Sequence, residues 1–430
     1  PLAHDARQLI TPLRDLFAAV FFVFFVAAIG VGPLPGVLAL GLHSVGMLGK
    51  LFAEAVERTD DGVRDAVAGT GAGPLQRLAG GVLPQVGPAW TAAILYRLDI
   101  NFRSSVLLGA VGAGGVGIDL KTAFGFTDYP QAVGIGIVTV GVVMLVEGVS
   151  VGLRGLLLGS STRGVPPVRG TRVPWTRARA AAHLAGWSGP ALALVAFWQV
   201  DAGPRALWHA LTGSVRALGE FFPPAFGPVT PILAKGLEQT CAIALGATFL
   251  GVLAGVPLGL LAARTVAPNP AVRLTARAVC VVLRSVPDLL LVLLFVAAIG
   301  LTNGPVAGTF ALAVFTVALV AKLVADEAEE LRDGPRDAVR SAGAARGQEL
   351  TVAILGQLTP RLVATTLYAL DVNLRAFFVL GIVGAGELGY ALAQNIQALN
   401  YDVVTAVVLP IFVVVLLVEA VSAGLRKALR

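Results

Sequence analysis

The sequence predicts an all-α polytopic membrane protein of about ten transmembrane helices, arranged as two parallel repeats related by a pseudo-twofold axis. Three observations lead to this fold class: an apolar composition, a series of apolar runs long enough to cross a bilayer, and internal self-similarity. Of the 430 residues, 56% are hydrophobic and only 13% are charged. Soluble domains carry about a quarter of charged residues, so a soluble enzyme of two or three domains is excluded.

A helix that spans a bilayer needs about 20 mainly apolar residues. The chain contains ten stretches that approach or exceed this length, of which the first is short. They are residues 16–31, 34–53, 88–111, 132–153, 182–200, 237–263, 279–301, 305–325, 360–384 and 403–425. Residues 201–230 contain Trp208, Phe221 and Phe222 beside polar residues, which favours an amphipathic segment at the membrane interface over a further span.

The formal net charge is +6, and the basic residues concentrate in a few connecting segments. Segment 159–180 contains five arginines and no acidic residue, the loop after residue 263 contains three arginines, and the C-terminus is basic. Lys and Arg in short loops mark the cytoplasmic side. Threading ten spans places these segments there, together with the polar loops 58–87 and 330–358. We therefore expect a multi-pass membrane protein with these segments on the cytoplasmic side, and no nucleic-acid partner.

The second half of the chain repeats the first. Residues 88–117 align with residues 360–389 without a gap, and 15 of the 30 positions are identical. The same register, an offset of 272, extends from Lys50 and Lys322 to Arg154 and Arg426. Because matched loops lie on the same predicted side, the repeats are parallel.

The repeat also predicts the domain organisation. We expect a first repeat at 1–158, a cytoplasmic Arg- and Pro-rich linker at 159–180, and a second repeat at 181–430. Residues from 181 to about 270 have no counterpart in the first repeat. We therefore expect the first repeat to be N-terminally incomplete, with about two more helices before Pro1.

Each repeat places a polar, Ala-rich segment between two spans, at residues 61–85 and 333–357. Two matched copies favour docking elements over simple connectors, and we expect each to be helical with a glycine near its middle. The residues that carry the pattern are Asp65, Ala66, Gly71, Leu83 and Pro84 in the first copy, and Asp337, Ala338, Gly343 and Leu355 in the second. This pattern resembles the coupling loop of binding-protein-dependent ABC importer permeases. Asp replaces the usual Glu in both copies, and Gly356 replaces the second proline.

A second motif, Leu-Tyr-x-Leu-Asp-x-Asn-x-Arg followed by Leu-Gly-x-Val-Gly-Ala-Gly-x-x-Gly, is similar to permeases of the phosphonate importers, whose relatives carry phosphite and phosphate. The resemblance implies a type I importer transmembrane fold of the methionine-permease kind. It also implies an extracytoplasmic substrate-binding protein that delivers a phosphorus oxyanion, and two cytoplasmic ABC ATPase subunits that bind ATP and Mg. Closure of the ATPases would then drive alternating access.

The chain has no Walker A motif, because Leu51 follows Gly49-Lys50 where Ser or Thr is needed. We therefore expect no catalytic residues and no cofactor in this chain. Two alternatives stay open: the same permease architecture for another small solute such as an amino acid, and a secondary transporter. A secondary transporter would need no ATPase and no docking loops.

Charged and polar side chains recur at matched positions deep within two spans. Tyr96, Asp99 and Arg103 are spaced to share one helix face, and Tyr368, Asp371 and Arg375 repeat the arrangement. Asn101 and Asn373 lie between them in sequence. Charges at this depth are costly, so they should face protein or water. One interpretation is an Asp–Arg pair that only fixes helix packing; the other is a translocation path along which the arginines and asparagines pass an anion.

The span that contains each polar pair ends in a glycine-rich motif. Its glycines are Gly112, Gly114 and Gly117 in the first repeat, and Gly384, Gly386 and Gly389 in the second. The spacing matches a dinucleotide-binding motif, but no alternating strand pattern surrounds it. We interpret the motifs as a close-packed, hinge-like backbone at the extracytoplasmic gate. The four histidines are scattered and the two cysteines lack ligand spacing, so no metal site is expected.

Overall fold

The computed structural model describes residues 18–159, 195, 197–200, 203–300, 303–382 and 386–428. The elements of this part of the chain are helices joined by short turns, which confirms the all-α class. The helices of the first repeat are α1 (Ala18–Ile29), α2 (Pro33–Glu57), α3 (Asp61–Gly69), α4 (Leu83–Leu108), α5 (Val116–Gly125) and α6 (Tyr129–Gly159). Helix α7 (Pro204–Phe221) precedes the matched part of the second repeat.

The remaining helices begin with two that have no counterpart among the described helices of the first half and then repeat its order. They are α8 (Thr230–Ala262), α9 (Pro270–Ser285), α10 (Asp288–Ile299), α11 (Gly304–Glu329), α12 (Asp333–Ser341), α13 (Gly356–Ile382), α14 (Glu387–Gln397) and α15 (Tyr401–Ala428). The described residues form two compact units. The first extends to Asp119 and includes Ile137–Ala217, and the second consists of Leu120–Gly136 and the residues from Leu218 onward.

Seven helices in the described ranges are long and apolar enough to cross a membrane. They are Pro33–Glu57, Pro74–Ala113, Tyr129–Leu153, Thr230–Ala262, Gly304–Glu329, Arg346–Ala376 and Tyr401–Ser422. They coincide with seven of the predicted spans. The run at 16–31 forms α1, whose 12 residues are about 18 Å long and too short to span. The predicted span at 182–200 and the linker at 159–180 fall almost entirely outside the described residues.

The predicted span at 279–301 is not one straight helix. Helices α9 and α10 meet at an angle of 86° across a short break at Val286 and Pro287. Proline cannot donate a helical hydrogen bond, and it disfavours helical torsions in the residue before it. Val286 accordingly adopts an extended conformation with φ −77° and ψ 121°. The apolar run is therefore divided into a half-polar helix and a short apolar helix that is buried over residues 289–293.

The second unit is built around a parallel pair of helices, α8 and α11. Three glycines spaced by four residues, Gly251, Gly255 and Gly259, form one face of α8 and lie against Thr316, Val320 and Val324 of α11. An added Cβ at Gly255 would lie only 2.9 Å from Cβ of Val320. Small residues allow this close approach of membrane helices. Leu245, Phe249 and Leu253, on the other side of α8, are exposed, as expected for a face in contact with lipid.

Candidate functional site: coupling loops, buried polar contacts and glycine turns

The sequence predicted that each of the polar segments 61–85 and 333–357 is one helix. The structure shows that each is interrupted. Helix α3 stops at Thr70, and Gly71 has a φ of +78°. In the second copy α12 stops at Ala342, and Gly343 has a φ of +79°. Glycine adopts this left-handed conformation without the steric cost that other residues incur. Each loop is therefore a helix that reverses direction at a glycine and returns through a short helical turn to the next span.

The base of both loops is closed by a matched glutamine. The Gln85 side chain accepts a hydrogen bond from the backbone N–H of Asp60 at 3.0 Å and donates one to the carbonyl of Gly81 at 2.6 Å. Its counterpart Gln357 donates to the carbonyls of Arg332 at 3.3 Å and Ala353 at 2.8 Å. The shared contacts show that the two loops have the same architecture at the junction with the span.

The motif residues lie at the surface of these loops. Asp65, Ala66, Gly71, Leu83 and Pro84 are exposed in the first loop; Asp337, Ala338 and Gly343 are exposed in the second, where Leu355 is partly buried. Neither α3 nor α12 contains a buried residue. Leu75 in the first loop is 80% exposed. Short polar helices with exposed apolar side chains are suited to contact another protein, and the assignment of these residues to ATPase coupling stays a prediction.

The two loops differ in how they are braced. Glu349, which is buried, accepts hydrogen bonds from Arg336 and, at 2.9 Å, from Arg340. Arg336 also donates to the backbone carbonyl of Thr265 at 2.6 Å, beyond the end of α8. The first loop has Arg77 at the position that corresponds to Glu349, and Arg77 donates only to the carbonyl of Ala72, at 2.8 Å. In the second loop, Arg336 therefore links the buried carboxylate of Glu349 to the backbone just beyond α8, and the first loop has no carboxylate at the matched position.

Glu349→Gln is expected to loosen the second loop, because a neutral amide cannot balance two guanidinium groups in a buried position. We expect amide hydrogen exchange in Asp333–Leu355 to accelerate by about tenfold. Arg77→Gln at the matched position is the control and should leave exchange in the first loop nearly unchanged. Equal changes in the two variants would contradict a bracing role for Glu349.

The predicted Asp–Arg pairs are present in both units. Arg103 forms an ion pair with Asp99, and their side chains are only 15% and 9% exposed. Arg375 pairs with Asp371 at 2.9 Å and lies 3.9 Å from Glu419. Tyr96 and Tyr368 are exposed. These contacts account for the burial of both charges without a substrate, and the assignment of the residues to a translocation path stays a prediction.

The matched asparagines face away from these ion pairs and connect neighbouring helices. Asn101 donates to Ser44 of α2 at 2.9 Å. Asn373, which is 1% exposed, donates to Thr248 of α8 at 2.9 Å and accepts from Thr316 of α11 at 2.9 Å. Ser44 and Thr316 correspond in the repeat. The asparagines therefore serve as interhelical contacts, and this structure does not expose Asn373 to a path.

Sequence reasoning overlooked Arg97. It is 3% exposed, donates to the Ser44 hydroxyl at 2.8 Å, and lies with Nη1 3.2 Å from Sδ of Met47. A comparison of the repeats could have found Arg97, because the matched residue is Ala369, which is fully buried. A charged residue that replaces a small apolar one within an otherwise matched helix marks a local difference between the repeats.

The first glycine motif forms a tight turn that folds back on α4. Gly112 has a φ of +130° and Gly114 a φ of +84°. A methyl group at Gly117 would overlap the carbonyl oxygen of Val106 and lie 2.7 Å from the backbone nitrogen of Ala110. The turn borders a cavity of about 390 Å³ with mainly apolar walls, which include Phe102 and Val142. The close packing predicted for the motif is present at Gly117, and the role of the motif as a gate stays a prediction.

The second glycine motif is described only in part. Gly384 lies outside the described residues, Gly386 has a φ of +149°, and Gly389 is buried. The helix that follows contacts α8, because the backbone N–H of Glu387 donates to the Gln239 side chain at 3.1 Å and Lys235 forms an exposed ion pair with Glu387 at 2.7 Å. Glu387 occupies the position that corresponds to Gly115, so this tie is specific to the second repeat. No group of three potential metal ligands converges within the described part of the chain.

Comparison with protein families gives the assignment that the geometry alone leaves open. The sequence profile of the binding-protein-dependent transport system inner membrane component matches residues 9–157 and again residues 255–430. The chain belongs to this permease family. The double match confirms the two repeats and, with the apolar helices, a multi-pass protein of the inner membrane. Membership also confirms the resemblance found in the loops.

Individual relatives of the permease are transport proteins. The phosphate-import permease protein PhnE of Mycolicibacterium smegmatis is 44% identical over 426 residues, which cover 99% of this chain and 77% of the relative. The phosphite transport system permease protein PtxC of Stutzerimonas stutzeri is 46% identical over 149 residues, 35% of this chain and 54% of the relative. A solved structure of the MetNI methionine ABC transporter is 24% identical, covers 47% of this chain and 99% of its own, and has a TM-score of 0.45.

Proposed function

We propose that this permease forms the transmembrane channel of an ATP-driven importer that moves a phosphorus oxyanion inward by alternating access. The observation that carries the proposal is the pair of exposed loops, which share a glycine break and a glutamine-closed base within a chain of the permease family. Relatives of this chain are named for phosphate import and phosphite transport. The sequence motif similar to phosphonate permeases supports the same class of substrate.

The energy source lies in partner subunits. The chain has no Walker A motif, so two ABC ATPases would bind ATP and Mg and hydrolyse the nucleotide on the cytoplasmic side. Each coupling loop would enter one ATPase, with Asp65 and Ala66 or Asp337 and Ala338 on the exposed helix face. An extracytoplasmic binding protein would deliver the oxyanion at the opposite end of the spans. Substrate choice would then lie mainly with that binding protein.

Reconstitution tests this function. The chain and its ATPase are reconstituted in vesicles, and the binding protein is added. Uptake of labelled phosphate, phosphite and a phosphonate is then measured with and without ATP on the side of the membrane that the ATPase faces. We expect uptake only with all three components and hydrolysable ATP. The control is an ATPase whose Walker A lysine is replaced by alanine.

Other outcomes separate the alternatives. Uptake driven by an ion gradient without the ATPase would identify a secondary transporter and contradict the proposal. ATP-dependent uptake of an amino acid, with no response to any phosphorus oxyanion, would retain the permease mechanism and replace the substrate.

A further inference from the structure

Helix α7 has three distinct faces. Leu207, Trp208, Leu211, Val215 and Leu218 form an apolar stripe at helical spacing, and Val215 is 70% exposed. Arg205, Thr212 and Arg216 lie on a polar face, also exposed. Ala210 and Ala217 are buried on a third face. An ordinary surface helix buries its large apolar residues, whereas α7 buries Ala210, Ala217 and, at its C-terminal end, Phe221, and leaves the apolar stripe exposed.

The small face of α7 fits closely against α1. A methyl group at Gly213 would overlap the carbonyl oxygen of Ala28 and lie 3.4 Å from Cα of Ala28. The helix is therefore held by backbone contact, and this contact leaves the apolar stripe uncovered by the described residues. The stripe needs another apolar environment, because single exposed leucines are common but a continuous row with a tryptophan is not.

The C-terminal end of α7 lies at the level where spans begin. The rings of Phe221 and Tyr401 are stacked with centroids 5.1 Å apart, and the N–H of Ala225 donates to the carbonyl of Asp402 at 3.1 Å. Tyr401 is the first residue of α15. The opposite end of the same unit carries the second coupling loop, since Thr265, just beyond α8, accepts a hydrogen bond from Arg336. The helix therefore ends on the extracytoplasmic side of the spans.

We propose that α7 is an interfacial helix whose apolar stripe is immersed in the lipid of the outer leaflet. An amphipathic helix with a Trp-containing apolar face and an arginine-containing polar face is suited to the boundary between headgroups and acyl chains. Its position beside the first residues of a span places the stripe at that boundary. The same lipid that contacts the exposed apolar sides of the spans would therefore contact the stripe.

Because α7 contacts α1, its position also affects the first repeat. Ala28 lies three residues before Val31, and an added Cβ at Gly112 in the glycine turn would be 3.5 Å from Cγ1 of Val31. Lipid that holds α7 therefore also supports the α1–α2 turn next to Gly112.

Site-specific labelling tests the proposal on the full chain. Cys241 and Cys280 are replaced by alanine, and a single cysteine is introduced by Leu211→Cys or Val215→Cys, with Thr212→Cys and Arg216→Cys as matched controls on the polar face. Each variant is labelled with an environment-sensitive fluorophore in vesicles of phosphatidylcholine and phosphatidylglycerol. Brominated acyl chains should quench the label at 211 and 215 several-fold more than at 212 and 216, and aqueous iodide should show the reverse order.

The alternative occupants give different results. Equal iodide quenching at neighbouring positions 211 and 212 would show that water covers the stripe and would overturn the proposal. Shielding of position 211 that appears only when the binding protein is added would assign the stripe to that protein instead. If one labelled variant does not assemble, the pair at 215 and 216 gives the same comparison independently.

Discussion

A chain that carries Gly117→Ala is expected to take up substrate at least about tenfold more slowly than the unchanged chain. It should also unfold at a lower temperature. The added methyl group would overlap the Val106 carbonyl oxygen and crowd the backbone nitrogen of Ala110. Neither atom belongs to a flexible side chain, so α4 and α5 must separate. Overpacking of this kind costs about 2–3 kcal/mol, and here it acts on a turn proposed as the gate.

Gly87→Ala is the matched control for this substitution. Gly87 lies within the same helix, α4, and an added Cβ there meets no atom within 4 Å. Alanine is the better helix former by about 1 kcal/mol, so Gly87→Ala should leave uptake unchanged. Uptake and thermal unfolding of the purified chain are measured for both variants. Normal uptake and stability in Gly117→Ala would refute the close-packed turn.

Asp99→Asn is expected to lower the yield of folded protein strongly, because Arg103 loses the carboxylate with which it pairs inside the membrane. Removal of one member of a buried ion pair costs about 3 kcal/mol. The matched substitution Asp371→Asn should also lower the yield, because Arg375 loses the carboxylate that lies 2.9 Å away. Size-exclusion chromatography and thermal unfolding compare both variants with the unchanged chain.

A charge swap separates the two interpretations of the pair. The double variant Asp99→Arg with Arg103→Asp keeps an ion pair at the same spacing and should recover most of the folded yield. If the pair only fixes helix packing, uptake recovers with the yield. If Arg103 guides an anion, the recovered protein takes up substrate poorly. Failure of the swap to recover any folded protein, with Asp99→Asn folding normally, would contradict the structural role.

Hydropathy located the spans of this fold because each helix carries its own apolar signal, and 15 identities between the repeats located the matched loops. The interruptions within these helices were not predicted, because each depends on a single residue. Pro287 and Gly71 were visible in the sequence, but an apolar run or an Ala-rich segment outweighed them. The spacing of Gly251, Gly255 and Gly259 was equally visible, whereas its partner helix was not, since no local pattern states which helix α8 will meet.

Polar contacts were predicted unevenly for a related reason. Asp99 and Arg103 lie one helical turn apart, so their pairing follows from spacing alone. The contacts of Asn373 with Thr248 and Thr316 join three helices, and the interpretation of Asn373 as a path residue could not anticipate them. Glu349 and Arg336 are separated by a chain reversal at Gly343. Their contact required the geometry of that reversal.

The different surroundings of Arg97 and Ala369 mean that α4 and α13 cannot replace one another without loss of packing. A recombination event that copied α13 over α4 would place alanine at position 97 and leave a gap beside Ser44 and Met47. The reverse event would insert a guanidinium beside Val320, Val324 and Leu358, which form an apolar cluster with Ala369. An unbalanced charge there is costly. Exchange of the two helices is therefore expected to destabilise either repeat at this position.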